Sequence, residues 1–284
     1  METVGVVSPG AMGSALADAL ARGGVRVVAT LAGRSERTAR LAAGTPLELL
    51  PDLASVVREA DVLLSIVPPE ESAAVAADLT LAAAEEDVFP LLVDLNAIAP
   101  ATAREIAPIG VELVDGSISG PPPWKPGTTR VYLSGPRARE VAALRFEGVD
   151  VVVVGDEVGR ASAVKMSTAS VYKGTTALLA HALVAAHANG VLEHVVADLR
   201  AAAPELVDGV ERRLAIAATK AARYVGEMRE ISATQEAAGL TPALFEAMAE
   251  IYGALAETPL ARSRPEDVPP SPELDDVLHA LRGR

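Results

Sequence analysis

Residues 155–190 read GDEVGRASAVKMSTASVYKGTTALLAHALVAAHANG, with no proline among them. Apolar and small residues recur at spacings of three and four through Val164, Ala169, Val171, Leu178, Leu179, Leu183 and Ala186, which predicts one long helix rather than two short ones. About 30 helical residues span roughly 45 Å, enough to leave one domain and form the spine of another. Lys165 lies near the start of this stretch. Thr168, Ala169 and Tyr172 share its face, because they follow at three, four and seven residues. A lysine held in apolar surroundings titrates near neutrality once desolvated, which suits proton transfer.

Before this helix, strand and helix patterns alternate. Thr3–Val7 (TVGVV) reads as a buried strand, followed by SPGAMG and then SALADALARGG, whose Ala15, Leu16, Ala19 and Leu20 have the spacing of a helix face. Strand, glycine turn and helix in this order bind dinucleotides, with the free N–H groups of Ala11 and Met12 facing a pyrophosphate. Gly10 and Gly13 occupy the second and third places of a G-x-G-x-x-G fingerprint, and Ser8 stands in the first. An ordinary βα turn is the alternative. A second strand at 25–30 (VRVVAT) is followed by GRSERTAR rather than by an Asp or Glu. Arg34 and Ser35, with Arg37 behind them, suit a 2′-phosphate, so NADPH is expected over NADH. Strands at 61–67 (DVLLSIV) and 91–95 (LLVDL) place Val67, Pro68 and Asn96 at carboxyl ends, where such sheets bind ligands. Arg130–Ser134 and 149–154 complete a doubly wound parallel sheet, an α/β fold followed by an all-α domain. The boundary is placed between 156 and 157.

Half of the 284 residues are apolar, yet only 3% are aromatic, so the core must be closely packed Ala, Val and Leu. The formal net charge of −13 argues against nucleic acid and anionic membranes as partners. There is no cysteine, which removes thiol catalysis and Cys–metal sites. His187 and His194 are seven apart, not the i, i+4 of helical metal pairs, so no metal is expected. The N-terminal METVGVV lacks a basic region before its apolar run, and a cytoplasmic protein is expected.

Between the two halves, Ser117, Ser119 and Gly120 read as a small polar turn able to receive a carboxylate or hydroxyl. Three prolines and the only tryptophan, Trp124, then form a stiff wall, with Lys125 and Arg130 as candidate anion anchors or plain loop charges.

SPGAMGSALADAL, SIVPP, VDLNAIAP, DGSISGPPPWKPG and VGRASAVKMSTASVYKG occur in the order and spacing of the β-hydroxyacid dehydrogenases. That superfamily includes 6-phosphogluconate dehydrogenase and is related to imine reductases. The chain resembles the branch with a poorly characterised C-terminal helical domain, in which KGTTALL and RYVGEMREI are typical. The resemblance implies that Gly10, Ala11, Met12 and Gly13 cradle the pyrophosphate while Arg34 and Ser35 read the adenosine end. It implies Ser117 and Gly120 at the substrate and Lys165 as catalytic acid–base. Three departures stand out: Ser8 for the first glycine, SGP for SGG in the substrate turn, and Ala169 where family dehydrogenases carry asparagine. Thr168 or Tyr172 would then supply the missing contact.

In the second half, 219–257 reads as largely helical with a turn near Gly239-Leu240-Thr241-Pro242. Tyr224, Glu227 and Met228 resemble the family segment that approaches the active site. A final helix, capped by Ser271 with Leu274, Val277, Leu278 and Leu281 on one stripe, docks on a partner subunit or folds back. The expectation is a homodimer through the helical domain, with a small-molecule substrate. The leading reading is an NADPH-dependent reductase or dehydrogenase of a small hydroxy or oxo acid. The alternatives are an imine reductase with Tyr172 as proton donor and a catalytically silent NADP(H)-binding sensor.

Overall fold

The computed structural model describes residues 1–107 and 112–282. Two compact units divide it, 1–166 and 167–284. In the first, β1 (Thr3–Val7), α1 (Ala11–Arg22), β2 (Arg26–Thr30), α2 (Glu36–Ala43), β3 (Glu48–Leu50), α3 (Leu53–Glu59) and β4 (Val62–Ser65) alternate. Then come α4 (Ser72–Glu85), β5 (Leu91–Asp94), α5 (Pro100–Glu105), β6 (Leu113–Ser119), β7 (Arg130–Ser134), α6 (Ala138–Ala142) and β8 (Asp150–Val153). The eight strands lie in the order β3-β2-β1-β4-β5-β6-β7-β8.

Strands β1 to β6 pair in parallel, β7 is antiparallel to β6, and β8 is parallel to β7. The connection from β6 to β7 contains no helix, so the chain turns back on itself; the connection from β7 to β8 contains α6 and allows a crossover. Alternation along the strands feeds two cores. Val4, Val6, Leu64 and Val93 pack with Leu16 and Leu20 of α1 on one face. Val7, Leu63 and Leu92 pack with Val56 of α3 and Leu79 of α4 on the other. Helices on both faces are what make continuous apolar runs stable as parallel strands.

The sequence reading missed two strands. β3 is a three-residue edge strand with two exposed residues, too short to give a periodic signal. β6 was read as a polar turn, yet six of its seven residues are buried. Two of its polar side chains, Asp115 and Ser117, bond to the start of the helix that follows the sheet, which no local pattern reveals.

That helix, α7 (Arg160–Ala188), is unbroken, as its sequence predicts. Asp115 of β6, fully buried, accepts bonds from the backbone N–H of Gly159 (2.9 Å) and Ser162 (3.1 Å), the Ser162 hydroxyl (2.6 Å) and the Ser134 hydroxyl (2.7 Å). The Ala161 N–H donates to Ser134 Oγ at 3.0 Å, and Ser117 Oγ donates to the Ala161 carbonyl at 2.8 Å. A carboxylate at a helix N-terminus satisfies otherwise orphaned N–H groups and meets a favourable dipole. This explains why the compact first unit runs to Met166 rather than to the 156/157 boundary read from the sequence.

The second unit contains the remainder of α7 with α8 (Leu192–Ala202), α9 (Pro204–Val207), α10 (Val210–Thr219), α11 (Ala221–Ala237), α12 (Ala243–Ala256) and α13 (Leu274–Leu281). Gly239 takes φ +76° after α11, and the Leu240 N–H bonds back to Gln235, so the expected turn ends that helix in a left-handed cap. The helices are rich in alanine and approach closely. A Cβ on Gly174 would meet Met248 Sδ at 3.3 Å. α13 begins after Glu273 with no side-chain cap, two residues later than the expected Ser271 cap. Val277, Leu278 and Leu281 are buried against this same unit, where α13 packs on α10.

Replacing Asp115 by alanine strands two backbone N–H groups and two hydroxyls in the core. The expected loss, read by urea denaturation, is about 3 kcal/mol. Asp150→Ala, which removes only a surface pair with Arg130, should stay within about 0.5 kcal/mol of the parent.

Candidate active site

The β1–α1 turn is built from backbone constraints. Ser8 adopts φ +69°, the left-handed conformation that glycine supplies in the first fingerprint place, at a cost of about 1 kcal/mol for an L-residue. The Gly10 N–H donates to the Ser8 carbonyl at 2.8 Å. A Cβ on Gly13 would lie 2.4 Å from that same carbonyl oxygen, whereas one on Gly10 would meet nothing within 4 Å. Gly13 is therefore required for the helix to sit on the turn, and Gly10 leaves the backbone open to a ligand. α1 has no side-chain cap, so its first N–H groups, Ala11 and Met12 included, are left for an external acceptor. This arrangement fits a dinucleotide pyrophosphate.

After β2, Gly33 turns the chain at φ +71°. Arg34 is half-buried, and its Nε is buried with no partner among the described residues. Ser35 caps α2, its Oγ accepting from the Thr38 N–H at 3.2 Å. The arginine and the α2 N-terminus thus fit an anionic group on the adenosine ribose.

Asn96, after β5, is almost wholly buried. Its amide donates to Asp94 Oδ2 (2.7 Å) and Ser65 Oγ (3.1 Å), its oxygen accepts from the Val67 N–H (2.6 Å), and its own N–H donates to Asp94 Oδ1 (2.9 Å). The side chain expected at a ligand works here as a clasp between the ends of β4 and β5. It fixes half-buried Val67 and exposed Pro68 beside the cradle. Burial pushes the Asp94 carboxyl up to about 7; the bonds from Asn96 oppose this, and Asp115, its partner across the strand register, adds to it.

β6 carries the remaining elements. Ser117 is buried and bonded to α7, Ser119 ends the strand, and Gly120 follows with φ +114°, where a Cβ would lie 2.3 Å from the Thr128 carbonyl oxygen. Trp124 is about half exposed, Lys125 is exposed, and Arg130 reaches Asp150 at 3.5 Å on β8. Half-buried Lys165 donates from Nζ to the Ile118 carbonyl at 2.7 Å. β1, β4, β5 and β6 are adjacent and parallel. Their carboxyl ends therefore bring Ser8, Gly10, Val67, Asn96, Ser119, Gly120 and Lys165 to one edge of the sheet. Thr168 and Tyr172 lie further along α7 in the second unit, Thr168 half-buried and Tyr172 exposed. Among the described residues, no cluster of His, Asp and Glu could hold a metal ion.

Sequence reasoning missed Asp94 and Asp115. Their only local signal is a single carboxylate inside an apolar strand, which predicts a buried, hydrogen-bonded charge.

Gly13→Ala should weaken binding of a nicotinamide dinucleotide, read by fluorescence titration with its reduced forms, and cost about 1–3 kcal/mol of stability. Because the folded Asp94 carboxyl keeps its proton to higher pH than the unfolded one, its contribution to stability is present at low pH. It is lost as the pH rises from about 4 to about 7. The upper bound is on the order of 4 kcal/mol. Denaturation midpoints across that range should fall in the parent and flatten in Asp94→Asn; equal slopes would remove the assignment.

Residues 3–97 match the family described as NADP oxidoreductase, coenzyme F420-dependent, and residues 186–255 match the domain of unknown function DUF1932. An uncharacterized 28.5 kDa protein of Methanothermus fervidus is 28% identical over 174 residues, 61% of this chain and 66% of that protein, so the match spans just under two thirds of that relative. A solved conserved protein of unknown function, described as structurally similar to 3-hydroxyacid dehydrogenases, is 29% identical with TM-score 0.67; 90% of this chain and 97% of that one are covered. Two further structures share the fold. The 3-hydroxyisobutyrate dehydrogenase of Mycobacterium tuberculosis has 19% identity, TM-score 0.67 and 99% of both chains covered. An imine reductase of Myxococcus stipitatus in complex with NAD+ has 24% identity and TM-score 0.58, over 90% of this chain and 93% of that one. Its sheet order and two-part organisation are those of the 3-hydroxyacid dehydrogenase fold, with an NADP oxidoreductase-type match over residues 3–97 and a DUF1932 match over residues 186–255.

Proposed function

We propose that this protein is an NADPH-dependent oxidoreductase acting on a small hydroxy or oxo acid, or a related carbonyl compound, with Lys165 as the acid–base. The oxidoreductase class is supported by the family match over residues 3–97. The observation that carries the proposed chemistry is the seat of Lys165. Its Nζ donates to the Ile118 carbonyl at 2.7 Å, at the sheet edge where the cofactor cradle lies. One of its N–H bonds is thereby directed at the backbone, which fixes the amine; another can meet a substrate oxygen.

Bound NADPH supplies the hydride. The chain supplies place and protons. Gly10, Ala11, Met12 and Gly13 hold the pyrophosphate, Ser8 shapes their turn, and Arg34 with Ser35 takes the 2′-phosphate. Val67 and Pro68, held by Asn96, wall the nicotinamide end. Ser119 and the Gly120 backbone receive a substrate carboxylate, while Ser117 works from beneath by tying β6 to α7. Trp124 completes the proposed substrate contacts of the sheet unit, and Thr168 and Tyr172 are the proposed contacts contributed by α7. As hydride reaches a carbonyl carbon, Lys165 Nζ gives a proton to the oxygen; in the reverse direction it removes one from the hydroxyl. Ala169 presents no polar group beside it, so orientation falls to the remaining contacts.

The proposal extends to a cytoplasmic homodimer joined through the helical domain. It is supported by apolar side chains such as Leu178 and Leu244 left exposed there, and no helix among the described residues is long and apolar enough to cross a membrane.

Lys165→Met should lower carbonyl reduction by about 10²-fold or more while leaving NADPH affinity unchanged. If imine reduction survives in that variant and falls in Tyr172→Phe, the imine chemistry is the right one; an unchanged carbonyl rate removes the lysine from the mechanism. Arg34→Ala should weaken NADPH about tenfold and NADH little, and a native preference for NADH would overturn the cofactor assignment.

A further inference from the structure

Four buried polar residues lie side by side across the sheet. Ser65 of β4 is the register partner of Asp94 on β5, Asp94 that of Asp115 on β6, and Asp115 that of Ser134 on β7. Register partners point to the same face, so the row is continuous. Its two carboxylates are supported unequally. Asp115 takes four donors, from Gly159, Ser162 and Ser134. Asp94 takes two, the backbone N–H of Asn96 on Oδ1 and the Asn96 amide on Oδ2, so both come from one residue.

Asp94 faces one charged group, Asp115, and two neutral ones, Ser65 and Asn96. Arg104 of α5 lies against Gly159, whose N–H goes to Asp115, and so stands on the far side of the row. Burial, with Asp115 behind it, pushes the Asp94 carboxyl up to about 7 against the Asn96 bonds. Asn96 converts the state of that carboxyl into backbone geometry. Its Nδ2 donates to Asp94 Oδ2 and Ser65 Oγ, which leaves Oδ1 facing the Val67 N–H at 2.6 Å. Acceptors on one side and a donor on the other thus hold the amide in this orientation. A proton on Asp94 replaces charge-assisted bonds with neutral ones about half as strong. Val67 and Pro68 then lose the fixed partner that sets their position.

We propose that Asp94 is a positioning residue for the nicotinamide dinucleotide, given the reading of this sheet edge as the cofactor site: its carboxylate, acting through Asn96, holds Val67 and Pro68 in the binding conformation. Protonation of Asp94 loosens that wall. A ligand that prefers the ionised form drives off a proton as it binds, and its affinity rises with pH through the titration of that group.

The test is calorimetric titration of the full-length protein with NADPH and with NADH, in buffers of different ionisation enthalpy. NADH carries no 2′-phosphate, so a pH slope common to both nucleotides belongs to the protein. Affinity should rise about three- to tenfold between about pH 6 and about pH 8, with protons released on binding near the middle of that range. Asp94→Asn, neutral throughout, should bind with the weak acid-side affinity at every pH and release no proton. A melting curve shows whether that variant is folded; if it is not, the proton release of the parent decides. Proton uptake or a flat pH profile in the parent, or a slope that survives in folded Asp94→Asn, would overturn the proposal. Failure of both nucleotides to bind at any pH removes the cofactor site and this role with it, whereas binding without the slope removes only the role of Asp94.

Discussion

The bond network around Asp115 is the constraint from which the chemistry of the sheet unit follows. A bare carboxylate in a protein interior is costly. Here four donors converge on it, two of them backbone N–H groups from the first turn of α7 and the residue before it. The charge offsets its own burial by taking the donors a helix start leaves unpaired. As a result, the end of β6 and the beginning of α7 behave as one piece. Lys165, about one helical turn beyond Ser162, meets the carbonyl of Ile118 instead of sampling solvent.

A second carboxylate lies directly across the register. Asp94 and Asp115 are paired positions on β5 and β6, and two ionised groups so close and so buried repel. The asymmetry of their partners resolves the conflict. Asp115 has helix N–H groups and hydroxyls, while Asp94 has only Asn96 and is pushed toward its neutral form. Asn96 in turn holds the strand ends that flank the nucleotide cradle. The same edge of the sheet is thus fixed by polar side chains at three neighbouring strands, which is the pre-organisation a cofactor and a reacting substrate require.

The helical unit solves a different problem. Alanine-rich helices come close together, as at Gly174 against Met248, and need few large side chains to fill the gaps. Large rings are then concentrated at one place. Tyr224 and Tyr252 surround Lys173, and their packing is specified by a cation and a hydroxyl as much as by apolar area.

The sequence by itself determined the strand–turn–helix order, the long unbroken helix, the glycine that α1 needs at position 13 and the placement of Lys165 near the helix start. These are local properties, set by periodicity and by the steric demands of single residues. Tertiary structure alone decided what the polar residues inside the strands do. Ser117 and Asn96 look like turn or ligand residues in isolation, and they join Asp115 as buried connectors only because partners from other segments arrive beside them. The reversal of β7 and the exposure of Tyr172 were likewise settled by packing, since hydrogen bonds between residues far apart in the chain leave no periodic trace in either partner.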